Sequence, residues 1–189
     1  MAIFSSKNLN PKQNSDEQKK HTVLLVDDEE GNLHVMSSLL NKTCHVLTAL
    51  NGQLALDMIK NMGEDELSMI ITDQRMPQMT GVELLERTVV SRPDTMRLIV
   101  SGYSDISEIL VAINKAKIYH FITKPFEPAD FLETVNLALE TYDFKKKMTD
   151  QFERMQTQLT SNKDTLEIKE VQLEKALTKL RTLGEDVET

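Results

Sequence analysis

Apolar residues recur along this chain in short continuous runs, each ending at a polar or small residue. Val23-Leu24-Leu25-Val26, Met69-Ile70-Ile71 and Leu98-Ile99-Val100 are three of them. Runs of this length, bounded by turn signals, predict strands buried on both faces. They place strands over Thr22 to Asp27, Met69 to Asp73 and Arg97 to Val100. His45 to Leu50 alternates and predicts another, and Tyr119 to Thr123 a fifth. Between the strands the period changes. Leu33, Met36, Leu39 and Leu40 fall at helical spacing, and so do Leu54, Leu56, Met58, Ile59 and Met62. Val82, Leu85 and Val89 do the same, as do Ile106, Ile109, Leu110 and Ile113. Helices are predicted over about 31–40, 54–62, 81–91 and 105–116. Pro128, at a first-turn position where its missing N–H costs nothing, opens one more. Asn51-Gly52, Gly63-Glu64-Asp65-Glu66 and Arg92-Pro93-Asp94 are the breaks between elements.

Strict alternation of strand and helix, five times over, predicts a parallel sheet with helices on both faces and right-handed crossovers. The expected fold class is α/β: a five-stranded, doubly wound parallel sheet of the flavodoxin-like kind. After about Leu139 the pattern changes. Met148, Phe152, Met155, Leu159, Asn162, Leu166, Lys169, Leu173, Ala176, Leu180, Leu183 and Val187 step by alternating fours and threes. That is a heptad seam, and it predicts a coiled coil. At ~1.5 Å per residue the seam is on the order of 60 Å long, too long to fold back within a small domain. Asn162 and Lys169 weaken it and set register and strand number. The chain thus divides into a flexible tail over 1–21, an α/β domain over 22–143 and a coiled-coil helix over 144–189.

Composition narrows the class. The 189 residues, 40% of them hydrophobic, allow one ordinary core and the added helix. A net charge of −8 and the lack of a marked Lys/Arg run argue against nucleic acid as a partner. Ala2-Ile3-Phe4 is too short for a signal peptide, and no stretch reaches the ~18 apolar residues of a membrane span. Cys44 stands alone, so no intramolecular disulfide forms. A cytoplasmic protein without membrane contact is expected. His21, His34, His45 and His120 show no metal-ligand spacing.

The candidate chemistry gathers where strands end. Asp27-Asp28 follow the first strand and Asp73 ends the central one. Ser101-Gly102 follow the Arg97–Val100 strand, and Lys124-Pro125 the last. In an open α/β sheet this carboxyl edge is where ligands bind. Three carboxylates held together repel one another and call for a cation. Oxygen ligands with few fixed donors suit Mg²⁺. Asp73, at the centre, is the candidate nucleophile toward a phosphoryl group. Lys124 and the metal would offset the charge of the transferred group, and the Ser101 hydroxyl could donate to one of its oxygens.

Val26-Asp27-Asp28-Glu29, Asp73-Gln74-Arg75-Met76-Pro77 with Gly81, Ser101-Gly102 and Lys124-Pro125-Phe126 carry a resemblance. In order and separation they are similar to the response-regulator receiver domain of two-component signalling, over about residues 22–143. The resemblance implies Asp73 as phosphoacceptor. It implies Mg²⁺ held by Asp27, Asp28, Asp73 and the backbone carbonyl of Arg75. Lys124 would bind phosphate, Ser101 would be the switch hydroxyl, and Phe121, where Tyr is common, the switch aromatic. It implies a histidine kinase or phosphotransfer protein as donor. It implies a switch rather than an enzyme: the domain slowly loses the phosphoryl group to water, and its output is a shift between two conformations. A parallel homodimer through 148–187 would pass that shift to a partner or to an output domain beyond Thr189, cyclase-like or another dimeric enzyme. Two readings compete. One is a non-switching dimeric scaffold, against which the intact acid, hydroxyl and lysine set counts. The other is an aspartate-nucleophile phosphohydrolase, whose second Asp, two residues on, is here Arg75.

Overall fold

The computed structural model describes residues 20–63, 65–102, 110 and 113–185. Nearly all of the tail expected over 1–21, and most of the helix expected over 105–116, lie outside the described residues. The elements are β1 (His21–Val26), α1 (Glu30–Leu40), β2 (Cys44–Ala49), α2 (Gly52–Lys60), β3 (Met69–Asp73), α3 (Gly81–Thr88), β4 (Met96–Ser101), β5 (His120–Thr123) and α4 (Pro128–Glu185). The sheet has order β2-β1-β3-β4-β5 and every neighbouring pair is parallel. The predicted five-stranded doubly wound sheet is therefore present. Its winding reverses between β1 and β3, so the crevice at that switch point opens beside Asp27 and Asp73.

The continuous apolar runs are explained by burial on both faces. Val23, Leu25, Met69, Ile71, Leu98 and Val100 pack with Leu33, Met36 and Leu40 of α1 and Phe131, Val135, Ala138 and Leu139 of α4. The intervening residues Leu24, Val26, Ile70 and Ile99 pack with Ala55 and Ile59 of α2 and Leu84 and Leu85 of α3. Each such aliphatic side chain, taken from water, contributes roughly 1.5–3 kcal/mol. The alternation along each strand assigns successive residues to opposite layers.

Most boundaries fall within two residues of the sequence expectation, and two depart further. The 81–91 helix stops at Thr88, and Val89 N–H bonds back to Glu86 O at 3.3 Å, a tightened last turn. Residues 113–117 form turns instead of ending a helix at 116, with Ile118 N–H closing onto Ile113 O at 3.0 Å and Lys117 at φ 47°.

Both stops lie far from the carboxyl edge, and a pair of buried arginines organises the end of α3. The Arg97 guanidinium, 1% exposed, donates to Thr95 O at 2.7 Å, to Thr88 O at 3.0 Å, to Thr88 Oγ1 at 3.3 Å and to Arg92 O. Arg92 in turn donates to Ile59 O and Met62 O at 2.6 Å and to Gly63 O at 2.5 Å. Each side chain satisfies the last carbonyls of one helix, Arg92 those of α2 and Arg97 those of α3. Burial lowers the Arg97 pKa, with Asp94 opposing, and a guanidinium keeps its charge even so.

The chain separates into two units, Met1–Tyr142 and Asp143–Thr189. The second is helical through Glu185. Its seam residues Met148, Phe152, Met155, Leu159, Leu166 and Leu173 are 51–71% exposed. Ile168, Val171 and Leu177, off the seam, are exposed to a similar degree. The side chains of Leu180, Leu183 and Val187 lie outside the described residues. No helix among the described residues is long and apolar enough to cross a membrane.

Candidate functional site

Three of the side chains singled out from the sequence meet at the carboxyl edge. β1 carries the chain to Asp27, which is 1% exposed, and β3 ends on Asp73, which is 8% exposed. Lys124, just after β5, donates from Nζ to Asp73 Oδ1 at 2.5 Å and to Asp27 Oδ2 at 3.0 Å. One ammonium thus serves two carboxylates. The other oxygen of Asp73, Oδ2, accepts from Arg75 N–H at 2.5 Å. The other oxygen of Asp27, Oδ1, accepts from Glu29 N–H at 2.9 Å and Asn32 Nδ2 at 3.0 Å.

The loop behind Asp73 is held as tightly. Gln74, buried, donates its N–H to Val100 O at 3.2 Å and so extends the β3–β4 ladder past the acid. Gln74 O accepts from Gly81 N–H and its Oε1 from Val82 N–H, both at 3.1 Å. Thr80 and Glu83 form a capping box on the same turn. The first N–H groups of α3 are thereby taken by the loop itself. Gly81 sits so close to β3 that a Cβ there would run into the Asp73 carbonyl oxygen and meet Thr72 Cγ2 at 3.0 Å. Gly81→Ala is expected to cost about 1–3 kcal/mol, since backbone must move. Gly52→Ala meets the flexible Met79 side chain instead and should cost less. Urea midpoints of the two variants check this.

Burial raises the Asp73 pKa, and the neighbouring Asp27 charge adds to the rise. The Lys124 hydrogen bond and charge and the Arg75 N–H oppose it without cancelling it. For Lys124, burial acts downward, but the hydrogen bonds and charges of Asp73 and Asp27 outweigh it and the pKa is raised. Both shifts upward are consistent: two acids facing one cation make it hold its proton firmly, while burial lets Asp73 gain one more readily. A metal-free carbon-13 titration of the Asp73 carboxyl should show a midpoint above the ordinary aspartate value. Lys124→Met should push it higher still.

The remaining predicted residues are placed as follows. Ser101 is buried at the end of β4. Lys124 N–H bonds to Ser101 O at 2.7 Å, and the Ser101 hydroxyl lies 3.4 Å from Gly102 O. Phe121 is half-buried, packs against the α2–α3 layer and stacks on His120 with ring centroids 5.9 Å apart. The Arg75 side chain and Asp28 are exposed. Among the described residues no three His, Cys, Asp or Glu groups converge as a metal cage. The donor set still suits a hard cation. Two carboxylate oxygens point at one position, now filled by an ammonium, and Asp28 stands beside them in sequence. Sequence reasoning missed Asn32 and gave Gln74 no role of its own. Neither carries a charge or an unusual spacing, and only the fold brings them to the acids.

Known proteins resemble this chain in sequence and fold. The profile of the response regulator receiver domain matches residues 23–136. The hydrogenase transcriptional regulatory protein HoxA of Bradyrhizobium diazoefficiens is 37% identical over 126 residues, covering 67% of this chain and 25% of that protein. The chain spans about a quarter of the length of that relative and of its Cupriavidus necator counterpart. A solved structure described as adenylate cyclase from Rhodopirellula baltica superposes with a TM-score of 0.66 at 27% identity, covering 70% of this chain and 97% of that one. A CheY-like receiver domain from Methanospirillum hungatei gives 0.61 at 28% identity, covering 66% and 98%. Two buried acids bridged by a lysine at the switch point of a five-stranded parallel sheet, and a profile match over most of that sheet's sequence, lead to one assignment: the chain belongs to the response-regulator receiver domain family of two-component signalling.

Proposed function

We propose that this chain is a phosphorylation-dependent switch in which Asp73 accepts a phosphoryl group from a histidine kinase or phosphotransfer protein. The observation that carries the reading is Lys124 Nζ placed between Asp27 and Asp73 while Arg75 N–H holds the second oxygen of Asp73. The acid is fixed in orientation and its surroundings are cationic on the side where phosphate oxygens would arrive. An Asp73 oxygen bonds to phosphorus as the bond from phosphorus to the donor atom breaks, and the donor keeps the electron pair. Water later attacks the phosphorus, which frees the carboxylate and inorganic phosphate. Asp27, Asp28, Asp73 and the Arg75 carbonyl would hold Mg²⁺, which would supply positive charge to screen the phosphoryl oxygens. Lys124 exchanges a carboxylate for a phosphoryl oxygen. Ser101 donates its hydroxyl to another, and Phe121 turns inward behind it.

The same reading takes residues 22–143 as an independent receiver and 148–187 as the seam of a parallel homodimer. The exposed seam and the polar seats at Asn162 and Lys169 favour two close pairings over one deep one. The state of Asp73 then biases how the helices meet, and a partner or output domain reads the result. The resemblance to a solved chain described as an adenylate cyclase fits an enzymatic output. The chain itself turns nothing over beyond its own phosphoryl group.

Cutting the chain after Asp143 is expected to leave a folded monomer, whereas the full chain sediments as a dimer. An unfolded circular dichroism spectrum for the short form would place the boundary elsewhere. Cysteine cross-linking along the seam, with Cys44 first replaced by Ser, should change between the free chain and a stable phosphate mimic. Identical profiles would separate the dimer from the switch.

A further inference from the structure

We propose that Asn32 is a positioning residue for the acid pocket: its carboxamide fixes Asp27 so that one oxygen belongs to α1 and the other faces Asp73. This rests on the reading of the pocket as a Mg²⁺ and phosphoryl site. Asn32 Nδ2 lies 3.0 Å from Asp27 Oδ1 and 3.4 Å from Glu29 Oε2. Both neighbours are carboxylate oxygens, which only accept, so the amide atom between them must be the nitrogen. Glu29 N–H reaches the same Asp27 Oδ1 at 2.9 Å. Two donors from the start of α1 therefore hold Oδ1, and Lys124 meets Oδ2 at 3.0 Å.

The arrangement matters because the terminal torsion of an aspartate is soft. With the backbone N–H alone on Oδ1, the carboxylate can swing about that bond. The second donor, Asn32, five residues after Asp27, closes a fork that ties the carboxylate to the body of the helix. Leu33, the next residue, and Met36, one turn further along α1, are in the core, so the fork is anchored to a rigid element. A neighbour that fixes a ligand's orientation without touching the metal commonly sets affinity by tenfold or more. Asn32 is half-buried and outside the core, so its replacement does not threaten the fold.

The test uses the full chain and MgCl₂. Asn32→Leu keeps the side-chain size and removes the donor. Isothermal titration should show Mg²⁺ binding weakened by roughly tenfold. Phosphoryl uptake from acetyl phosphate should fall by the same factor at limiting Mg²⁺ and return to within about twofold of the parent at saturating Mg²⁺. Asn32→Gln, which keeps the donor on a longer arm, should recover part of the affinity, with melting temperatures unchanged across the set. Mg²⁺ binding by Asn32→Leu within about twofold of the parent overturns the assignment, as does a loss that only follows a lower melting temperature. A parent chain that takes up phosphoryl groups without binding Mg²⁺, or does neither, removes the pocket reading itself and this role with it.

Discussion

Asp73→Asn takes up no phosphoryl group from acetyl phosphate and Mg²⁺ and folds as the parent does. Uptake should fall on the order of a thousandfold or more, to assay background, as when a nucleophile is removed from a site that acts as a unit. The carboxamide has the shape of the carboxylate but not its nucleophilic oxygen. The fold is expected to survive for an electrostatic reason. Asp73 has a folded pKa above its unfolded one, because burial outweighs the Lys124 and Arg75 contacts. A proton on this acid therefore favours the folded state below the unfolded pKa, and that contribution is lost as pH rises through the folded value. At neutral pH the native charge contributes no net stability, so a neutral isostere removes none. Lys124 keeps Asp27 as a partner at 3.0 Å. Full labelling of the variant would mean that another residue is the acceptor.

Arg97→Met should destabilise the receiver by about 3–5 kcal/mol, since several buried acceptors lose their donor and each costs about 1–3 kcal/mol, partly relieved by relaxation. For a domain of this size that lowers the melting temperature by roughly 10 °C or more. The guanidinium donates to three main-chain carbonyls and the Thr88 hydroxyl, and Met can serve none of them. The carbonyls left behind belong to the end of α3 and to the turn through Arg92, where water has little access. Arg97→Lys should fail nearly as badly, since a point ammonium cannot reach acceptors spread around a planar fork. Phosphoryl uptake by the folded fraction should be unchanged, because the joint lies away from the carboxyl edge. Urea denaturation measures both variants, and a loss under about 1 kcal/mol would contradict the account.

The sheet was legible because burial on both faces writes itself into composition. Val23 to Val26, Met69 to Ile71 and Leu98 to Val100 have no polar member, and the two layers divide them residue by residue. The acids and the lysine were legible because each stands at the end of a predicted strand, and a parallel sheet brings every strand end to one edge. Arg92 and Arg97 were not. In sequence Arg92 reads as part of a helix stop and Arg97 as the polar start of a strand, and the one nearby carboxylate, Asp94, gives no sign of what either guanidinium bonds. Their partners are carbonyls, which no sequence displays. α3 ends at Thr88 and not near Ser91, and Thr88 O there accepts from both Arg92 N–H, at 2.9 Å, and Arg97, at 3.0 Å. Asn32 was hidden for a related reason. A polar residue early in an amphipathic helix looks solvent-facing until the fold sets Asp27 beside it.

Trapping the acyl phosphate in place tests the central claim most directly. The full chain is treated with acetyl phosphate, with and without Mg²⁺, and then with borohydride, which reduces an aspartyl phosphate to homoserine. Peptide mass mapping locates the product. Homoserine at position 73 alone, and only with Mg²⁺, is the predicted result. Homoserine elsewhere, or none in a folded chain under saturating Mg²⁺, would contradict a receiver that works through Asp73.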